Sequence, residues 1–462
     1  MGQFPMRAGS APQDHTMNPS PPNLPAVRII PREQHNISRK QISSAALRVL
    51  YRLNEAGYAA YLVGGAVRDL LIGGQPKDFD VATDATPEDV RRLFRNCRLI
   101  GRRFRLAHVV FGQEIVEVAT FRGSGEGGED NAGDRHVIDG RIVRDNVWGT
   151  LEEDALRRDF TVNALYYNIA DFSVRDYVGG FDDVQRRVLR LIGDPVQRYR
   201  EDPVRMLRAV RLSAKLDFAI ASEARAPFAD LGELLAQAPP ARLFDETLKM
   251  FLAGSGLKSF RALEQSGLLG AVFPLTARAL AFRGDSFRAL VEAGLAGTDA
   301  RVAEGKSVTP AFLFAVLLWG AVRAQAEREI ARGVESNLAW QRVSHQVIAE
   351  QAKHVAIPRR FGQVMQEIWV LQPRFVDRQK KRVFRLLTHP RFRGAYDFLL
   401  LRAAEGGDIA ELGRWWTHAQ AAPHEALAEE LSAAPAEATG PADATKKRRR
   451  RRRKPKAPAA TA

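Results

Sequence analysis

A single cysteine, Cys97, in 462 residues rules out an intramolecular disulfide framework and any cysteine-built zinc site, and it suits a reducing compartment. Long apolar runs are missing as well. The longest, AFLFAVLLWGAV from Ala311 to Val322, is too short to cross a bilayer and reads as a buried helix, so no membrane partner is expected. The first residues lack the charged-then-apolar order of a signal peptide, and a soluble cytoplasmic protein is the expectation. The nine histidines include no His-Asp pair. Acidic residues are absent from 446–456, KKRRRRRRKPK, where ten basic residues stand. That run carries most of the formal charge of +15 and leaves about +5 for the remainder, an imbalance that implies a polyanionic partner. Bulky apolar groups are scarce in 1–36, which is rich in Pro, Ser, Gly, Asn and Gln. That segment is expected to be disordered, with folding beginning near Ser38. From 426 the composition shifts to Ala, Pro, Glu and Thr before the arginine run, and 426–462 reads as a disordered basic tail.

What is present is concentrated in residues 61–82, YLVGGAVRDLLIGGQPKDFDVA. Tyr61-Leu62-Val63 is a β-prone run ending at Gly64-Gly65, and Ala66 to Leu71 then has helical spacing until Gly73-Gly74. Two residues without Cβ let an anion approach the amides of a helix start, and Arg68 adds a formal positive charge, so a phosphate suits the place. If Asp78-Phe79-Asp80-Val81 is a strand, Asp78 and Asp80 share one face, about 7 Å apart at ~3.3 Å per residue. Such carboxylates repel unless a cation lies between them, and hard oxygen ligands select Mg2+ or Mn2+. A lone Gly-Gly is a turn and a lone Asp-x-Asp a solvated strand end; the order and spacing of the two together favour a functional site over either alone.

Upstream, Ile42, Ala45, Ala46, Val49, Leu50 and Leu53 trace a helical stripe ending at Gly57. Downstream, a helix from Pro87 to Phe94 follows with Thr86 as its N-cap. Leu106 to Phe111 and Ile115 to Phe121 read as a hairpin around Gly112-Gln113-Glu114. Glu117 is a charge in an otherwise apolar strand, so it either lies at the sheet rim or meets a cation. Residues 123–134, GSGEGGEDNAGD, are too glycine-rich to pack alone and read as a lid or an inert insertion. In TLEEDALRRDFTVNALYYN (150–168), Asp159 and Asn163 fall on one face if the segment is helical. A carboxylate there can accept from a ribose hydroxyl, and an arginine can clamp phosphate. The strand-like pieces 176–180 and 188–193 are expected to close the small sheet, and the period is helical almost throughout from Asp194. RYREDPVRMLRAVR (198–211) places Glu201-Asp202-Pro203 at a favourable helix start, from which Asp202 and Arg205 can offer an acceptor and a donor fork to a base edge. Arg208 and Arg211 are expected to meet phosphate or RNA. Amphipathic helices fill 215–425, with basic and aromatic groups mixed at 374–375, 378–385 and 391–393 that can follow and stack on RNA.

GGAVRDLLIG followed by DFD, then RRDFTVNAL, then EDPVR resembles the signatures of the class II branch of the DNA polymerase β-like nucleotidyltransferases. That branch contains the tRNA CCA-adding enzymes and the bacterial poly(A) polymerases. The resemblance is close over roughly 40–275. It implies an α+β fold: a small mixed-sheet head (37–193), then an all-α neck (194–275) and an all-α body and tail region (276–425). It also implies template-independent transfer of AMP from ATP to RNA 3′ ends. In its terms Asp78 and Asp80 hold two Mg2+ ions, and Glu117, from an EVATFR-like strand, joins them as the third acid. Gly64, Gly65 and Arg68 cradle phosphates, Arg158 takes the triphosphate and Asp159 the ribose, with Asn163 beside them. Asp202 and Arg205 contact the base while Glu201 holds the arginine, and Arg208 lies near. The stretch NCRLIGRRFRLAHVVFG (96–112), the missing His-Asp domain and the arginine tail lean toward the poly(A) branch over CCA addition. Two further readings are a catalytically silent RNA-binding protein and an adenylyltransferase of proteins or small molecules. Intact acidic motifs stand against the first and the basic tail against the second. Proteins of RNA decay are an expected partner class.

Overall fold

The computed structural model describes residues 26–101, 105–123, 135–138, 141–145, 147–403, 406 and 408–433; for 135–138 and 141–145 it gives the backbone course. The expectations for 1–25, 124–134 and 434–462 lie outside the described residues. The chain divides into two compact units, the second beginning at Glu367.

The first unit opens with β1 (Arg28–Ile30), then α1 (Ser44–Glu55), β2 (Ala60–Val63), α2 (Gly65–Leu71), β3 (Asp80–Thr83) and α3 (Pro87–Leu93). There follow β4 (Cys97–Ile100), β5 (Leu106–Phe111), β6 (Glu114–Thr120) and the hairpin β7 (Arg135–Ile138) and β8 (Arg141–Asp145). Next come α4 (Leu151–Arg157), β9 (Leu165–Asn168), β10 (Val174–Asp176) and α5 (Gly180–Arg186). Eight strands form one mixed sheet in the order β1-β10-β9-β2-β3-β6-β5-β4. All neighbours are antiparallel except β3 and β6, which run parallel at its centre. Helix α1 follows from its stripe: Ser43 caps it by accepting from the Ala46 amide, and Ala45, Ala46, Val49, Leu50 and Leu53 are buried as it packs over β2, β3 and β6. Thr86 and Asp89 make a reciprocal capping box at α3.

Three expectations need correction. The segment expected to be disordered contains β1, whose residues 28–30 pair with Asp176, Arg175 and Val174 and bury Ile30. Asp78 precedes β3 rather than sharing it, although the alternation persists: Phe79 is buried between two accessible aspartates. Val188-Leu189 does not close the main sheet. As β11 it pairs in parallel with β12 (Ala219–Ile220) in a two-stranded sheet of its own.

Helices then dominate: α6 (Pro195–Glu201), α7 (Val204–Leu216), α8 (Ser222–Arg225), α9 (Phe228–Leu231), α10 (Pro240–Phe251), α11 (Gly256–Gln265) and α12 (Leu269–Val272). Helix α13 (Pro274–Ala303), which the apolar pattern did not reveal, is broken at Gly284, where φ is 60°. Helix α14 (Pro310–Ala331) contains the longest apolar run and is buried along it. No described helix is long and apolar enough to cross a membrane. At Gly320 a Cβ would lie 2.8 Å from both Ala279 and Phe287, so glycine permits the close approach of α13 and α14. Helices α15 (Ser336–Ala352) and α16 (Arg359–Leu371) follow.

The second unit holds α17 (Lys380–Leu387), α18 (Phe392–Arg402), α19 (Asp408–Ala421) and α20 (His424–Ala433) around a core of Phe375, Phe392, Leu399 and Trp416. The Trp416 indole donates to the Phe375 carbonyl at 2.8 Å. Phe375 is thus a core residue, not a surface for stacking bases. The expected tail begins later than 426, because α20 continues to Ala433.

Candidate nucleotide-transfer site

The parallel pairing of β3 and β6 places Asp80 in register with Glu117, so two carboxylates from strands 37 positions apart in sequence stand side by side on one sheet face. Asp80 reaches solvent, yet the protein around it and then the Glu117 charge push its carboxyl up to about 6, Asp78 adding to the effect and Arg158 opposing it. Two carboxylates in register repel, and a bound cation would relieve the repulsion. Among the described residues no three His, Cys, Asp or Glu side chains are grouped so that they could hold a metal ion by themselves. The arrangement suits an ion such as Mg2+, which takes one or two carboxylates and completes its shell with water and phosphate oxygens.

The Gly64-Gly65 turn lies against this pair. Val63 is in register with Asp80, and Gly64 leaves the strand at φ 70° and ψ −138°, a conformation that side chains avoid. A Cβ on Gly64 would lie 3.6 Å from Nη1 of Arg158 and 4.0 Å from Oδ2 of Asp80, so the missing side chain keeps open a space bounded by a cation and an anion.

Helix α4 ends at Arg158, whose extended backbone turns Asp159 away from it; a short 3-10 turn over Thr161–Asn163 brings Asn163 back. The two therefore do not share a helix as expected, but Asn163 still donates to Oδ1 of Asp159 at 3.3 Å. Arg158 donates Nε and Nη2 to Oδ2 of Asp154 at 3.2 and 3.0 Å, Nε to the Tyr166 hydroxyl at 2.8 Å and Nη1 to the Asn163 carbonyl at 3.3 Å. The Tyr166 hydroxyl donates in turn to Asp154 at 2.7 Å. Burial works against the Arg158 charge, but Tyr166 and Asp154 outweigh it and hold its pKa above the ordinary value. Burial would likewise raise the Asp159 carboxyl, and Arg208, the Phe160 amide and Asn163 overrule it and hold it low.

Arg68 takes a place other than the phosphate cradle. It is buried, its Nε and Nη2 donate to Asp69 at 2.9 and 2.6 Å, and its Nη1 donates to Asn163. Its fork closes beneath Gly65, where a Cβ would lie 3.3 Å from Nη2. Arg208, expected to meet phosphate or RNA, is half-exposed and pairs with Asp159. Its Nε donates to Asp159 at 2.8 Å, and Arg211 pairs with the buried Glu246.

The base-reading segment is also rearranged. Glu201 ends α6 and Asp202 caps that end, so they do not open α7, which starts after Pro203. Glu201 accepts from Nη1 of Arg205 at 3.0 Å, and the same nitrogen donates to the Arg198 carbonyl at 2.8 Å. Both oxygens of Asp202 accept from Arg242 of α10, at 3.0 and 2.8 Å. Sequence reasoning missed Asp154, Tyr166, Arg198 and Arg242. Asp154 and Arg158 at i, i+4 carried a readable signal. Arg198 donates to the carbonyls of Arg157 and Arg158, and Arg242 acts across 40 positions; neither leaves a local trace.

A mixed sheet that presents adjacent carboxylates beside a glycine turn, with an arginine fixed at the end of α4 by Asp154 and by Tyr166 of β9, is the arrangement a nucleotidyltransferase needs. Comparison with known proteins narrows this. The chain matches the poly A polymerase head domain over 60–190, the probable RNA and SrmB-binding site of polymerase A over 217–280, and the polymerase A arginine-rich C-terminus over 332–455. It is 52% identical over 405 residues to poly(A) polymerase I of Salmonella typhi, covering 86% of each chain. The chain belongs to the poly A polymerase family. Similarity to the CCA-adding enzyme of Lactobacillus gasseri is 37% over 228 residues, 49% of this chain and 55% of that one. The crystal structure of the Bacillus stearothermophilus CCA-adding enzyme in complex with CTP superposes with a TM-score of 0.53 at 26% identity, covering 84% of this chain and 80% of that one.

Proposed function

We propose that the protein transfers AMP from ATP to the 3′-hydroxyl of RNA, repeatedly and without a template, releasing pyrophosphate. The observation that carries the reading is the register of Asp80 with Glu117 at the mouth of the Gly64 turn, within reach of the fixed Arg158. Asp78, Asp80 and Glu117 are the groups that would hold Mg2+, or Mn2+ in its place; when bound, such ions activate the attacking hydroxyl and neutralise the triphosphate and leaving group. The ATP-facing roles fall to this chain's own groups. Gly64 leaves room for phosphate, Arg158 supplies a preorganised guanidinium, and Asp159, with Asn163 beside it, accepts from the ribose. Arg205, fixed by Glu201 on its Nη1 side, presents its other donors to the acceptor nitrogen of adenine, while Asp202 is committed to Arg242. Arg68 and Arg208 support this surface from below through Asn163 and Asp159.

The head at 37–193 thus does the chemistry and the neck at 194–275 reads the base. The body helices at 276–425 and the arginine run at 446–456 hold RNA, in the cytoplasm and within reach of RNA-decay proteins. Poly(A) synthesis is favoured over CCA addition because similarity to the former extends over 86% of the chain and to the latter over 49%. The test is primer extension on a generic RNA with ATP and Mg2+. Long tails from ATP alone support the reading, and a stop after three nucleotides that needs CTP overturns it in favour of CCA repair. Extension that survives Asp78→Ala with Asp80→Ala overturns the mechanism.

A further inference from the structure

His108, in the stretch LAHVVFG, takes no part in the roles assigned above. Strand β5 pairs with β6 so that His108 is in register with Glu117, and β6 pairs with β3 so that Glu117 is in register with Asp80. In-register residues on adjacent strands share a face. Imidazole, carboxylate and carboxylate therefore make one row across three strands, ending at the Gly64 turn. Nε2 of His108 lies 3.3 Å from Oε1 of Glu117, is shielded from solvent, and has no hydrogen-bond partner among the described residues. A shielded ring nitrogen calls for a partner, and the Glu117 carboxylate oxygen 3.3 Å away is the acceptor beside it.

We propose that His108 is a positioning residue for the third acid: its Nε2–H donates to one oxygen of Glu117 and fixes that carboxylate between His108 and Asp80, so that its other oxygen and Asp80 converge on one divalent ion. The proposal rests on the nucleotide-transfer reading for its role in catalysis, but its core, a histidine that shapes a cation site through Glu117, can be measured without substrate. Groups behind metal-binding side chains typically alter affinity 10- to 100-fold. In the nucleotide-free full-length protein, His108→Ala is expected to weaken Mn2+ binding, followed by electron paramagnetic resonance, by about tenfold. His108→Gln, which keeps an N–H near the same place, is expected to stay within about threefold of the wild type. In primer extension His108→Ala lowers kcat by about tenfold with the KM for ATP unchanged, and adding His108→Ala to Glu117→Ala causes no further loss, because the histidine acts only through that acid. Wild-type Mn2+ affinity in His108→Ala, a Gln variant no better than Ala, or losses that add in the double variant would each overturn the proposal. If the wild-type protein does not extend RNA, the nucleotide-transfer reading fails on its own, while the Mn2+ comparison still decides the role of His108. A lowered melting temperature in His108→Ala with normal Mn2+ binding assigns the residue to packing alone and also overturns it.

Discussion

Asp154→Asn is the substitution whose outcome the structure dictates most fully. Asp154 is buried, and every group that meets its carboxylate is a donor: Nε and Nη2 of Arg158 and the Tyr166 hydroxyl at Oδ2, and the Arg122 amide at Oδ1, 3.3 Å away. An asparagine in the same position has one acceptor oxygen and an NH2 group. If the oxygen takes the Oδ2 place, the NH2 faces the Arg122 amide; if flipped, it faces two guanidinium donors of Arg158 and meets an acceptor only in the Tyr166 hydroxyl. In both cases the Arg158 cation loses its neutralising charge. Removing one partner of a buried pair costs about 3–5 kcal/mol. The oxygen that still accepts from Arg158 returns about 1 kcal/mol, so a net loss of about 2–4 kcal/mol is expected. Tyr166→Phe, which keeps the ion pair and removes one hydroxyl, should cost about 1 kcal/mol. Urea denaturation followed by circular dichroism ranks the two. In the same preparations the KM for ATP of Asp154→Asn should rise about tenfold, because Arg158 no longer waits in one orientation beside Gly64. The combination Asp154→Leu with Arg158→Met should recover most of the stability while leaving ATP use impaired, since a buried pair can give way to apolar groups at little cost. A loss in Asp154→Asn smaller than that of Tyr166→Phe, or a double variant less stable than Asp154→Asn, would refute the reasoning.

Two further outcomes follow from the geometry of the turn and the acids. The Asp80 carboxyl lies at about 6 in the folded chain against an ordinary 3.8, so its contribution to stability is fully present below pH 3.8 and is lost as pH rises through about 6. A shift of this size corresponds to about 3 kcal/mol for an isolated group, which solvent access at Asp80 reduces to about 1 kcal/mol. With a chelator present, Asp80→Asn should therefore melt about 2 °C above the wild type at pH 8 and show little advantage near pH 4; an advantage equal at both pH values counts against a raised Asp80 carboxyl. Gly64→Ala should lose about 1–3 kcal/mol from backbone strain at φ 70°. It should also raise the KM for ATP severalfold, because the new methyl group enters the space between Arg158 and Asp80; unchanged KM at reduced stability would confine the glycine to a backbone role.

What could be read from the residues in order was whatever a short period encodes. The α1 stripe, the Thr86 capping box and the β5–β6 hairpin each appear where alternation or capping chemistry puts them. Long-range pairing leaves no such trace. Strand β1 has three residues and exists through its partner β10, so composition alone could not distinguish it from the sparse segment before it. Asp159 and Asn163 were correctly placed together but on the wrong scaffold, because Arg158 leaves the helix with ψ near 168° and a 3-10 turn restores the proximity that a helix was expected to provide.

The charged residues of the site show the same limit more sharply. The motifs set Arg68, Arg158, Arg205 and Arg208 around one nucleotide, and the folded chain gives them four different neighbourhoods. Arg68 serves Asp69 and Asn163, Arg208 serves Asp159, and Arg205 is anchored by one nitrogen to Glu201. Arg158 alone stands beside both the glycine gap and the Asp80 carboxylate. An arginine that already satisfies a buried carboxylate gains little from a phosphate, since it must give up one strong bond to make another. Arg158 avoids that exchange: Asp154 and Tyr166 bind its Nε and Nη2, and Nη1, which touches only the Asn163 carbonyl at 3.3 Å, is the nitrogen nearest Gly64. The distribution of partners, which only the fold fixes, thus selects the cation best placed to meet a triphosphate.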